Sequence, residues 1–422
     1  MRILIPAILL SILGTSPGAS AAQTPDSGFV AWARRHAVDL AAPESDRATV
    51  PGLDRLVQDV DLIGVGESVH NVQQFLELRF ALLKELVANH RAGVLLLESG
   101  YPESLALDAY VTGRRDYVDF DTSLTYGFGG FAAVREAIEW LREWNRGPGR
   151  DDPVRVVGVD LPGNAGSMVP ALDLLTEMLG YRSHEVATLI DRHLRPLGVR
   201  TAGSSALGAA KAYAELGKAG RDSLVDGVKR LGALIRDASD LGGNDREATI
   251  RRLALSVAQH LELLELGAYH RDNPRDVAMV ANTEWAMTRL GSGRRAVLWA
   301  HNAHVQRTPI EGPASPSSDP VQSMGVILGK KLGSRYLAIG TAYGGPSIDS
   351  ATAPATGSLD ATLATVGPSR FLLAFDSISD RSAREWLDRP RLIRFQTGYL
   401  RTPPAKAFDA IVFFDGVMTA RR

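Results

Sequence analysis

Short apolar runs bounded by glycine or polar residues recur along the chain at 62–65, 93–97, 154–159, 296–300, 336–340, 371–375 and 410–414. Runs this short, apolar on both faces and rich in Val, Leu and Ile, predict strands of a buried parallel sheet. Between them the period changes. Residues 72–89 carry Phe75, Leu78, Leu82, Leu83 and Leu86 at helical spacing, and residues 132–145 end in the amphipathic AIEWLREWN. Strands alternating with helices predict an α/β fold, a mainly parallel β-sheet flanked by helices. No fixed-period repeat interrupts this, which argues against a solenoid.

The alternation stops between Asp160 and Arg295. The stretches 168–179, 205–218, 221–239 and 247–270 are rich in Ala, Leu, Arg and Glu with Gly and Pro breaks. They predict a large helical insertion, about 161–290, forming a cap over the cleft at one end of the sheet. Residues 311–320 and 344–357, rich in Pro, Ser and Gly, predict loops. At the other end of the chain, Arg2 precedes an apolar run at 3–13, and Ala19-Ser20-Ala21 follows as a small-x-small cleavage pattern. This predicts a signal peptide over 1–22, since the run is shorter than the ~20 residues that span a bilayer. The expectation is an exported chain, periplasmic or secreted, whose residues 23–422 form one α/β domain with no membrane span.

Composition narrows the chemistry. With no cysteine among 422 residues, disulfides, a thiol nucleophile and cysteine-ligated metal are excluded. A formal charge of −1 gives no electrostatic case for nucleic acid, and 7% aromatics give no base-stacking platform. G-x-S-x-G, H-E-x-x-H and the phosphate-binding glycine loops are absent. Imidazole and carboxylate groups are what remain.

Those groups gather after the predicted strands. Glu67 and His70 follow the first, Glu98 the second, Asp160 the third, and His301 and His304 the fourth. Ligands of open parallel sheets bind outside the carboxyl ends of strands, so these residues predict one shared site. His70 stands just before a helix, whose N-terminus disfavours imidazolium, whereas nearby carboxylates favour it and can fix the tautomer. A neutral imidazole so held is a suitable general base for water. Arg79, two to three turns along that helix, is a candidate carboxylate orienter or oxyanion stabiliser. Residue types alone equally allow a nitrogen/oxygen metal site of His301 and His304 with Glu67, His70 or Glu98.

Gly66-Glu67-Ser68-Val69-His70 resembles the G-E-x-x-H signature of the erythromycin esterase family. The likeness continues through Phe75, Leu78 and Arg79, Leu97-Glu98-Ser99-Gly100, Trp140-Leu141-Arg142, Gly158-Val159-Asp160-Leu161-Pro162 and Ala300-His301-Asn302-Ala303-His304-Val305. The resemblance implies a parallel sheet with a deep cleft and hydrolysis of a carboxylic ester, in the best-known members a macrolide lactone. It implies that His70 activates water without a covalent serine intermediate. Glu67, Glu98, Arg79, His301 and His304 complete the implied catalytic set, with Asp160 assigned to substrate binding. No cofactor is expected, and the expected partner is a small-molecule ester. Two rivals remain: a metal-dependent hydrolase using the same cluster, and a non-catalytic periplasmic protein binding a ligand such as haem. The signal peptide departs from what a cytosolic antibiotic-inactivating enzyme would carry.

Overall fold

The computed structural model describes residues 27–40, 50–180, 183–239, 241–291, 293–315, 317–348, 351–376 and 378–422, so the segment 1–22 read as an export signal lies outside the described residues. The strands are β1 (Val38–Asp39), β2 (Leu62–Glu67), β3 (Ala92–Gly100), β4 (Arg155–Asp160), β5 (Arg295–His301), β6 (Tyr336–Tyr343), β7 (Arg370–Ala374), β8 (Arg391–Phe395), β9 (Gly398–Thr402) and β10 (Ala410–Phe414). All seven runs singled out in the sequence are strands. Eight strands form one sheet in the order β1-β7-β10-β6-β2-β5-β3-β4. The five pairings from β10 to β4 are parallel. The exception is 371–375, read as a parallel strand: it lies in β7, which runs antiparallel to β10, and β1 adds a second antiparallel pair at that edge. Apolar runs look alike in either direction, because burial on both faces sets the pattern and strand polarity does not enter it.

The side-chain alternation builds two cores. Val94, Leu96, Ala296 and Leu298 face one side of the sheet and pack with the helical segment. Leu95, Leu97, Val297 and Trp299 face the other and pack on Phe75, Leu82 and Leu86 of the helix Gln73–His90. Between β4 and β5 the chain is helical, with helices Val169–Leu179, Ala206–Glu215, Gly217–Asp237, Asn244–Leu266 and Pro274–Arg289 among others. Leu172, Leu175, Leu231, Leu253 and Val257 bury their apolar faces in the same core as the sheet. The insertion therefore shares one hydrophobic core with the sheet. Among the described residues no helix is long and apolar enough to cross a membrane.

The sheet order places the site. β2, β5, β3 and β4 are four consecutive strands, and they are the four whose ends carry the candidate residues. Residues far apart in sequence become neighbours by register, Glu67 lying opposite His301. Gly66 allows one close approach here: a Cβ at this position would meet the Asn302 carboxamide oxygen. That carboxamide joins the end of β5 to β6, donating to Thr341 O at 2.8 Å and accepting from Thr341 N at 3.2 Å.

Candidate active site

Glu67 is fully buried and held from two sides. Its Oε1 lies 2.6 Å from His70 Nδ1, and its Oε2 pairs with Arg79 Nη1 at 2.9 Å. Arg79 reaches back from its helix and also donates to the Val65 and Ala300 carbonyls, so its guanidinium is directed into the strand ends. With Nδ1 fixed on Glu67, Nε2 is the His70 nitrogen left to face the cleft. Phe128 and His301 meet the His70 ring edge-on, with centroids at 5.5 and 5.1 Å.

Glu98 ties the second half together. Its Oε2 accepts from His301 N at 2.7 Å, and its Oε1 accepts from Arg275 Nη2 at 2.9 Å and pairs with His304 Nε2 at 3.2 Å. His304 Nδ1 lies 2.8 Å from Asp276 Oδ1, while Asp276 Oδ2 accepts from Met324 N. Asp160 takes Arg275 through both of its oxygens and also accepts from the Tyr126 hydroxyl at 2.8 Å. His301 caps the short helix Asn302–Val305: its Nδ1 accepts from Ala303 N, which leaves Nε2–H to donate to Ser68 O at 2.9 Å.

Four buried carboxylates (Glu67, Glu98, Asp160 and Asp276) thus stand among three cations (Arg79, Arg275 and His304). That leaves one excess negative charge when His70 is neutral. The protonation states follow. Burial alone would lower His70, but the charge and hydrogen bond of Glu67, with the charge of Glu98, outweigh it and hold the imidazole above 6.5. His304 is also opposed by burial, yet Asp276 and Glu98 push it up to about 10, so it is an imidazolium at neutral pH. Burial and the neighbouring His70 hold His301 well below its usual range, and it stays neutral. Burial would raise Glu98, but His304 and Arg275 hold it well below the usual carboxylate range.

A cavity of about 240 Å³ opens on this cluster, lined by His70, Glu98, Arg275, His301 and His304 and by Tyr126, Asn164, Leu207, Tyr269 and Phe395 among others. The helical insertion supplies one wall, through Asn164, Ser205, Leu207 and Tyr269. A larger groove of about 840 Å³ runs beside β4, past Tyr101, Asp108, Arg155 and Trp285. None of the strand-end cluster lines it, so the chemistry points to the smaller cavity.

The structure brings all seven candidate residues into this one cluster. Three of them, Glu67, Arg79 and Asp160, do not line the cavity. Asp160, expected to bind substrate, is fully buried behind Arg275 and bonded on both oxygens, so it holds that arginine in place. As arranged, His301 and His304 each have both ring nitrogens engaged by protein groups, and His304 carries a proton. This donor set does not converge as a nitrogen/oxygen metal site requires. Among the described residues, a convergent group of three ligating side chains occurs elsewhere, at Asp54, Glu85 and His90.

Sequence reasoning missed Arg275, Asp276 and Tyr126. Asn273-Pro274-Arg275-Asp276 has the form of a helix start, with Asn273 capping Asp276 N and Pro274 in the first turn, and nothing in that form distinguishes a site residue. Tyr126 lies in the segment Thr125–Gly130, with φ of 57°. Its backbone N donates to Asn164 Oδ1.

The family model described as erythromycin esterase matches residues 87–417. The chain belongs to the erythromycin esterase family. It is 22% identical over 401 residues to erythromycin esterase type II of Escherichia coli, across 88% of this chain and 93% of that protein. It is 25% identical over 394 residues to erythromycin esterase type I of Escherichia coli, across 85% and 91%. Its fold is similar to a solved Bacillus cereus protein with a TM-score of 0.78 and 21% identity, over 94% of this chain and 99% of that one. Membership in the erythromycin esterase family supports a hydrolase of the esterase type.

Proposed function

We propose that the chain is an exported carboxylic ester hydrolase in which His70 activates water directly. The observation that carries this reading is the Arg79–Glu67–His70 relay, which fixes one imidazole nitrogen and turns the other to the cavity. His70 Nε2 takes a proton from water, and the resulting hydroxide attacks the ester carbonyl. Glu67 stabilises the imidazolium that forms, and that imidazolium then protonates the departing alkoxide, giving acid and alcohol. No serine intermediate is needed: Ser68 Oγ is buried, and Ser68 does not line the cavity.

The developing oxyanion needs a donor facing the cavity. Arg79 directs its guanidinium inward, and His301 and His304 bond to protein groups through both nitrogens. Arg275 holds Asp160 and Glu98 through Nε and Nη2, which leaves Nη1 as the donor best placed for this role. The test is turnover of an ester panel by wild type and His70→Ala, read as release of acid and alcohol for acyclic esters and as a mass gain of one water for a macrolide. A His70→Ala protein that hydrolyses at the wild-type rate overturns the mechanism.

A further inference from the structure

We propose that this site takes an amphipathic ester. Its slim ester end enters the cavity beside the charged groups, and its apolar body lies outside on a lip formed by Leu207 and Tyr269. The inference rests on the esterase reading above and names the substrate class. Three observations carry it.

The first is size: at about 240 Å³ the cavity is smaller than the ~300–1,000 Å³ that holds a drug-sized ligand. The second is what stands at its mouth. Leu207 is 41% exposed and Tyr269 46%. Leu207 opens the helix Ala206–Glu215, and Tyr269 follows the helix Asn244–Leu266 that ends at Leu266. Both Leu207 and Tyr269 line the cavity itself, so this exposed apolar surface is continuous with the site. The third is the mixed lining. Glu98, Arg275 and His304 supply charge, while Leu207, Ile310 and Val321 supply apolar surface. A linear ester suits that mixture, with its carbonyl at the charged groups and its chain leaving past the apolar ones. A lactone fits less well, because its ester lies within the ring and brings ring atoms into the cavity on both sides of the reacting carbon.

The experiment measures kcat/KM for p-nitrophenyl esters from acetate to decanoate, each below its solubility limit, and for erythromycin by mass gain of water. Wild type is expected to gain about tenfold or more from acetate to decanoate, the scale set by burying several methylenes. In Leu207→Asp and Tyr269→Asp the decanoate-to-acetate ratio should collapse toward one, and in Leu207→Met it should be retained. Melting curves check that each variant is folded. A flat chain-length profile in wild type, an unchanged ratio in both Asp variants, or hydrolysis of erythromycin ahead of every linear ester would overturn the inference while leaving the esterase reading intact. If wild type hydrolyses no ester, or hydrolyses them no faster than His70→Ala, the esterase reading fails and this inference with it.

Discussion

Replacing Glu67 by Gln separates two effects on His70. The carboxylate orients the ring and also raises its pKa above 6.5. With wild type, kcat/KM should fall as pH drops through that raised pKa, because the base is then protonated. In Glu67→Gln the acid limb should move to lower pH, while the plateau rate falls by about 10²-fold from lost orientation and lost imidazolium stabilisation. A pH–rate profile whose limb stays in place would show that another group sets it. Arg275→Gln should lower kcat by about 10²–10³-fold if the arginine stabilises the oxyanion. Because it would also leave Asp160 and Glu98 without their cation, Arg275→Lys is the control that keeps charge but loses the fork.

The turn from β2 into the helix Gln73–His90 is where small changes propagate furthest. A Cβ at residue 66 would meet the Asn302 carboxamide. Gly66→Ala should cost about 1–3 kcal/mol of stability in urea unfolding and lower activity, because Asn302 would have to leave Thr341. This part of the site was legible in the sequence. In parallel strands the functional side chains follow the C-terminal end directly, so Glu67, Glu98, Asp160 and His301 could be read off the apolar runs. Arg275, Asp276 and Tyr126 were not legible, because they come from a helix start and a short turn whose patterns serve local capping. Strand order was also hidden, since apolar runs do not record neighbours. The spacing of the motifs therefore could not show that β5 lies between β2 and β3. The hairpin of β8 and β9, whose end brings Phe395 and Gln396 to the cavity, reads as half-buried residues without a clear period.

At the scale of the whole molecule the buried titratable groups make stability depend on pH. His304 binds its proton more tightly folded than unfolded. Its contribution is complete below 6.5 and is lost as pH rises through about 10. His260, buried in the insertion, is pushed down to about 4. The unfolded chain then binds a proton that the folded chain refuses, and stability falls as pH drops from 6.5 toward 4. Glu98, held low, adds to the acid side, since its contribution is lost as pH falls below its ordinary 4.5. Asp360, which burial pushes up to about 6, opposes His260 over the same range, so the clearer expectation is on the alkaline side: thermal melts should show stability lost between pH 6.5 and 10, and a His304→Gln variant should lose that dependence. A wild-type profile flat from pH 6.5 to 10 would contradict this. The proposed export would leave a mature N-terminus near Gln23, and an intact mass that keeps residues 1–22 would contradict it. The strand order has a consequence for biosynthesis. β2 and β3 do not pair with each other; β5 completes the ladder between them, after the whole insertion has been made. A nascent chain that ends at β4 therefore leaves β2 unpaired on both edges and β3 open on one, with only part of its cluster. Such an intermediate is inert and prone to edge pairing, so the protein becomes active only when synthesis has passed His304.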